Sequence, residues 1–243
     1  MLIAANWKMH KTGRETVRFC RELRDRLAKL DAGVEVVVCP AYTSLDEAVE
    51  ALFGTQIGVF AQNVHWEDHG AYTGEISAGM LVEIGVTGTL VSHSERRQLF
   101  GETDETAAKR VEAALKARLR TIACVGETDA EREAGEAEAV LERQVKAIRA
   151  VVPKGGTDLL TIAYEPVWAI GTGKTATPEQ AEEAHAFIRK LLDVPVLYGG
   201  SVKPGNAAEL FERAHVEGAL VGGASLETDS FGAICEAAAA VPS

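Results

Sequence analysis

The chain has 243 residues, 47% of them hydrophobic, and a formal net charge of -11. That length supports one substantial core, so a single domain over residues 1–243 is expected; the acidic balance argues against nucleic acid and anionic membrane as partners, and any anionic ligand has to be held by local donors. The apolar start is cut off by Asn6 and Lys8, no run is long enough to span a bilayer, and the four cysteines form no C-x-x-C pair. A cytoplasmic protein with reduced thiols and no zinc centre is therefore expected.

In chain order, short β-prone runs alternate with helical patterns. The runs cover residues 2–7, 34–39, 57–62, 88–92, 121–125, 159–164, 196–198 and 218–221, which makes eight strands. Between them, apolar residues recur at threes and fours: Val17, Cys20, Leu23, Leu27 and Leu30 early on, then Ala108, Val111 and Leu115, then Ala181, Ala184, Ile188 and Leu191. The strands are apolar on both faces, as parallel strands covered by helices must be. Eight β-then-α units point to a (β/α)8 barrel; a doubly wound open sheet gives the same alternation, but the barrel is preferred because the chemistry is scattered over many strand ends.

The stretch from Tyr164 to Ala176 anchors that chemistry. A β-prone run delivers Glu165 and then meets Pro166, which steers the residue before it toward extended backbone and so parks a carboxylate at a strand end. A glycine-rich segment with Gly171 and Gly173 follows, before Thr177, Pro178 and Gln180 open a helix with a capping box. This is the make-up of a strand, an acid, a hinged lid and a helix. The other strand ends carry Asn6 and Lys8, His93 and Glu95, Cys124 and Glu127, Gly199-Gly200-Ser201, and Gly222-Gly223. In a barrel these converge on one mouth, and the glycine pairs after strands seven and eight suit a phosphate, because backbone N–H groups can approach it. A phosphorylated small molecule is the expected ligand class.

Seven motifs in order then carry a resemblance. They are Asn6-Trp7-Lys8-Met9, Gly74-Glu75, His93-Ser94-Glu95-Arg96-Arg97, Cys124-Val125-Gly126-Glu127, residues 164–176, Tyr198-Gly199-Gly200-Ser201-Val202, and the run from Leu220 to Leu226. The chain resembles the triosephosphate isomerase family over nearly its whole length. Ser92 and Glu217 depart from it, standing where the family usually has glycine and aspartate, and Ser92 adds a side chain just behind His93.

The resemblance implies a TIM barrel that interconverts dihydroxyacetone phosphate and glyceraldehyde 3-phosphate, with no metal or organic cofactor. It implies Glu165 as the base, His93 as a neutral electrophile at a helix N-terminus, and Lys8 as the cation facing the enediolate and the phosphate. Asn6 lies beside Lys8, and Glu95 orients it; Gly171, Ser201, Gly222 and Gly223 bind substrate. It also implies a homodimer in which the loop containing Thr73 completes the neighbour's site. That loop, residues 62–77, is longer than a barrel turn needs and holds Val64, Trp66, Tyr72 and Ile76, too much apolar surface for a solvated linker; folding back on its own barrel is the competing reading.

Other classes fit less well. A Schiff-base aldolase wants a desolvated lysine, whereas strand six ends in Tyr164-Glu165. A glycosidase has no use for two phosphate cradles, and a sugar-phosphate binder does not need Glu165, His93 and Lys8 together. Cys124 reads as a packing residue. His65 and His69 have zinc-like spacing, but Trp66 occupies the place of the glutamate in H-E-x-x-H. The acidic run from Glu127 to Glu138 reads as a solvated helix face.

Overall fold

The computed structural model describes residues 1–30, 33–169 and 176–241. Eight parallel strands close into a barrel in sequence order: β1 (Leu2–Asn6), β2 (Glu35–Cys39), β3 (Ile57–Ala61), β4 (Gly88–Val91), β5 (Arg120–Val125), β6 (Leu160–Tyr164), β7 (Val196–Tyr198) and β8 (Gly218–Val221). Closure comes from β1, which pairs with β2 on one side and β8 on the other. The open-sheet alternative is thereby excluded. The strands sit within a residue or two of the expected runs; the sixth starts at Leu160 because Thr157–Leu159 tighten into a 3₁₀ turn.

Strand periodicity sorts the residues into two layers. Leu2, Ala4, Val37, Cys39, Phe60, Leu90, Ile122, Cys124, Ala163, Leu197 and Leu220 fill the barrel interior. Their neighbours, Ile3, Ala5, Val36, Val38, Val91, Ala123 and Ile162 among them, face outward under the helices. Those helices are α1 (Gly13–Arg26), α2 (Leu45–Leu52), α3 (Ala78–Glu83), α4 (Ser94–Phe100), α5 (Asp104–Lys116), α6 (Asp129–Glu133), α7 (Ala137–Arg149), α8 (Pro178–Leu191), α9 (Ala207–Phe211) and α10 (Thr228–Ala239). Capping boxes start α1 at Thr12, α5 at Thr103, α6 at Thr128 and α8 at Thr177, the last with proline in its first turn as expected. Such a cap contributes about 1 kcal/mol, which fixes where each helix leaves its loop.

Three details differ from the sequence reading. The buried face of α1 is Thr16, Phe19, Cys20 and Leu23, so the stripe is offset from Val17, which is half-buried. The acidic run breaks into α6 and α7, because Gly135 takes a φ of 75°, the left-handed conformation that ends a helix. Its first member, Glu127, is fully buried rather than solvated. Among the described residues no helix is long and apolar enough to cross a membrane.

Candidate active site

The inward parity of the strands, carried one step past their ends, leads to the polar residues of the mouth. Asn6 follows Leu2 and Ala4, Glu165 follows Ala163, Gly199 follows Leu197, and Gly222 follows Leu220. Beyond Asn6 the backbone turns sharply. Lys8 has a φ of 51°, uncommon for a side chain with a β-carbon. The Asn6 Oδ1 accepts from the Lys8 amide at 3.0 Å, and Gln62 Nε2 donates to the Lys8 carbonyl at 2.8 Å and to the Cys39 carbonyl at 2.8 Å. Held this way, Lys8 Nζ meets Glu95 Oε1 at 2.5 Å.

A second turn lies at Ser92, φ 59°, directly before His93. This conformation costs a residue with a β-carbon roughly 1 kcal/mol, and it swings the chain so that His93 becomes the N-cap of α4. His93 Nδ1 accepts from the Glu95 amide at 3.2 Å, so the imidazole carries its proton on Nε2, which donates to Glu165 Oε1 at 2.8 Å. The expected helix N-terminus is therefore present. Burial works against an imidazolium here, but the charge and hydrogen bond of Glu165 outweigh it and raise the pKa of His93. That upward pull exists only while the carboxylate stays on Nε2.

Glu165 is 1% exposed and held from every side. Its amide donates to the Val125 carbonyl at 2.7 Å, and the Gly199 amide donates to the Tyr164 carbonyl at 2.7 Å, so strands on both sides fix its backbone. A β-carbon on Gly126 would collide with the Glu165 carbonyl, and one on Gly199 would lie 2.8 Å from Glu165 Cγ. Gln144 supports Gly126 from outside, accepting from its amide at 2.8 Å and donating to its carbonyl at 3.1 Å. The carboxylate accepts from the Ser94 amide at 2.8 Å and the Ser94 hydroxyl at 3.1 Å. Burial alone would raise its pKa; His93 and Ser94 together bring it below the usual glutamate value, so the group is an anion at neutral pH.

The mouth is a cavity of about 870 Å³ lined by Asn6, Lys8, His93, Glu95, Ser201 and the glycines at 199, 200, 222 and 223, among others. A β-carbon at Gly223 would meet nothing within 4 Å, so an anion has room to approach the backbone there. After Gly222 the chain makes a 3₁₀ turn, Gly223–Ser225. Glu165 is the exception to the convergence expected of the strand ends: it lines a separate cavity of about 230 Å³ behind the mouth. The reason is Ser94, whose two donors draw the carboxylate away from the ligand space. Gly171 lies outside the described residues.

Sequence reasoning missed several supporting groups. Glu127 Oε1 accepts from Tyr164 Oη at 3.0 Å, Trp168 Nε1 at 2.9 Å and Arg132 Nη1 at 2.8 Å, tying β6 and the turn Val167–Ala169 to α6. Its position after β5, beside Gly126, was the available signal. Ser94 and Gln62 carried none beyond being polar next to a strand end. Cys124 is a buried packing residue whose thiol pKa is pushed well up, first by burial and then by Glu165. His65 stacks between Trp66 and Tyr72, with ring centroids 4.2 and 4.6 Å away, while His69 is exposed.

The loop after β3 has a packed base and a projecting tip. Val64 is fully buried, Arg110 lies 4.7 Å over the Trp66 ring, and the His65 amide donates to the Ile76 carbonyl at 2.8 Å. Residues 67–75 are exposed, Tyr72 by 43% and Thr73 with it.

A closed eight-stranded barrel with a buried carboxylate against a histidine donor, an ion-paired lysine and glycines that leave room for an anion suits a sugar-phosphate isomerase. The chain belongs to the triosephosphate isomerase family, whose model matches residues 1–238. It is 51% identical over 242 residues to the triosephosphate isomerase of Carboxydothermus hydrogenoformans, with 96% of each chain covered. It is 50% identical over 240 residues to that of Geotalea uraniireducens and 49% over 241 residues to that of Alkaliphilus metalliredigens, covering 95% of this chain in both cases and 95% and 96% of those proteins.

Proposed function

We infer that the isomerisation this family member carries out, dihydroxyacetone phosphate to D-glyceraldehyde 3-phosphate and back through an enediol(ate) in glycolysis and gluconeogenesis, is run by Glu165 as its base. The observation that carries this reading is the cluster in which Glu165 meets His93 Nε2 at 2.8 Å while Lys8 and Glu95 pair at 2.5 Å on the mouth that His93 also lines. Moving a proton between adjacent carbons requires one group to take it and return it while negative charge grows on oxygen. In the ligand-free arrangement Glu165 is parked, so it has to leave Ser94 and turn toward the mouth. It then takes the C1 proton of dihydroxyacetone phosphate and delivers it to C2.

The same movement frees His93 Nε2–H to donate to the substrate oxygen. It also removes the carboxylate that raises the pKa of His93, so the imidazole is neutral when it acts. Lys8 stabilises the enediolate oxygen and the phosphate, kept in place by Asn6 and Glu95. Backbone N–H groups at Ser201, Gly222 and Gly223, with Gly171 of the lid, hold the phosphate. These groups call for no metal and no organic cofactor.

Residues 1–243 form one domain, a reading supported by the pairing of β1 with β8. The protein is cytoplasmic and binds neither nucleic acid nor membrane. It assembles as a homodimer through the loop containing Thr73, whose exposed tip favours insertion into a neighbour over folding back. The test of the chemistry is exchange of solvent deuterium into dihydroxyacetone phosphate, followed by mass spectrometry beside a coupled isomerase assay. Deuterium at the reacting carbon is expected; conversion without exchange, or no conversion, overturns the proposal.

A further inference from the structure

The 230 Å³ cavity behind Glu165 is lined by Ser92, Arg97, Cys124 and Glu165, among others. Two of its polar groups lack partners among the described residues. Ser92 is 1% exposed and its Oγ makes no hydrogen bond. Arg97 gives Nη1 to Asp104 at 2.6 Å, while its Nε and Nη2 are buried without an acceptor. Folded proteins seldom leave such groups unsatisfied, and a polar cavity of this size holds ordered water wherever it offers two to four partners.

Glu165 supplies one of those partners. A carboxylate has about four acceptor sites. Oε1 is taken by His93 Nε2 and Ser94 Oγ, whereas Oε2 has the Ser94 amide and room for another donor. The Cys124 thiol beside it is only a weak donor. Ser92 also occupies a backbone conformation, φ 59°, that glycine adopts without strain, and glycine would bring no hydroxyl.

We propose that Ser92 is a positioning residue for the base: with Arg97 it holds water in the rear cavity that donates to Glu165 Oε2 and so stabilises the parked carboxylate. This rests on the reading of Glu165 as the base. The parked form competes with the engaged form that faces the ligand, and an apparent affinity falls in proportion to the fraction of competent protein. Removing the hydroxyl therefore strengthens apparent substrate binding without touching the chemical step.

Two substitutions separate the hydroxyl from the backbone. Ser92→Ala removes Oγ and keeps the β-carbon at the same φ, whereas Ser92→Gly removes both. Each is expected to lower KM for dihydroxyacetone phosphate about threefold or more with kcat within twofold of wild type, a fold-change typical of one water-mediated hydrogen bond. Only Ser92→Gly should raise Tm. A Ser92→Ala enzyme with wild-type KM, or one in which kcat falls tenfold, overturns the proposal. So does a high-resolution crystal structure of the ligand-free wild type with no water within hydrogen-bonding distance of both Ser92 Oγ and Glu165 Oε2. Glu165→Asp measured in parallel keeps the two readings apart: if it loses kcat while Ser92→Ala behaves as wild type, the base stands and only the role of Ser92 fails.

Discussion

Ser94 binds the carboxylate of Glu165 through both its amide and its hydroxyl, at 2.8 and 3.1 Å, and in doing so keeps the base out of the mouth cavity. In the mechanism proposed for Glu165 those bonds break in each turnover, so the reach of the side chain decides what happens next. Shortening it by one methylene in Glu165→Asp should leave binding nearly intact and lower kcat by about 10²-fold or more, within the ~10²–10⁴ that a positioned general base contributes. Steady-state kinetics with kcat unchanged would remove Glu165 from that role.

Much of this site was legible in the sequence because strand periodicity is strict. Inward residues alternate, so Asn6, one step past Ala4, appears at the mouth, and Glu165, one step past Ala163, falls at the inward position of its strand end even though its carboxylate is drawn aside. Burial of Glu127 was not legible: a glutamate at the head of an acidic run has the composition of a solvated face, and its partners Tyr164 and Trp168 lie about forty residues away, meeting it only because β5 and β6 are neighbours. The parked position of Glu165 was hidden for a related reason. It depends on Ser94, 71 residues distant, having an amide left over at the start of α4.

Glu127 yields a stability prediction. Replacing it with alanine leaves Tyr164 Oη, Trp168 Nε1 and Arg132 without the acceptor that joins them. Breaking a buried charged network in this way costs about 3 kcal/mol, and a chain of this size then melts ~6–12 °C lower. Glu127→Gln keeps one acceptor oxygen and should lose less than half as much. Calorimetry that finds the alanine variant within 2 °C of wild type, at about the precision of such a scan, contradicts the structural role.

His185 sets an acid limit on the fold. It is fully buried, edge-on to Tyr164 at 5.9 Å, with Nδ1 2.8 Å from the His215 carbonyl and, among the described residues, no partner at Nε2. Burial pushes its pKa down from 6.5 to about 4, so the native state refuses a proton that the unfolded chain accepts. The stability it contributes is complete above pH 6.5 and is lost progressively as pH falls toward about 4, by roughly 3 kcal/mol in all. His185→Gln should flatten this part of the profile. Glu182, hydrogen-bonded to His215, and His215 itself are the charged and titratable groups that act on it. Urea midpoints between pH 7 and 4.5 that run parallel in the two proteins would exclude His185 as the source.

The last prediction concerns assembly. The base of the loop after β3 is fastened to its own barrel by Val64 and by Trp66 under Arg110, which leaves the tip no apolar surface of its own to cover. Tyr72 is 43% exposed in the isolated chain, and Met80 and Val82 in the following helix are 54% and 48% exposed. Met9, one residue past Lys8, is 94% exposed. Exposed apolar residues on a projecting loop and next to Lys8 are matching halves of one interface if the tip of each subunit enters beside the Lys8 turn of the other, the isologous arrangement of a twofold dimer. Lys8 depends on an unusual φ of 51°, so it benefits from a neighbour that packs against that turn. Thr73→Arg places an unpaired charge at the centre of such a contact, a change that costs about 3–5 kcal/mol where the site is fully desolvated. The expected result is a monomer by analytical ultracentrifugation at micromolar concentration, folded by circular dichroism, with kcat at least tenfold below wild type. Thr73→Ser, which adds no charge, should remain dimeric and active. A wild-type monomer at that concentration, or a Thr73→Arg monomer with full activity, refutes the dependence of the site on its neighbour.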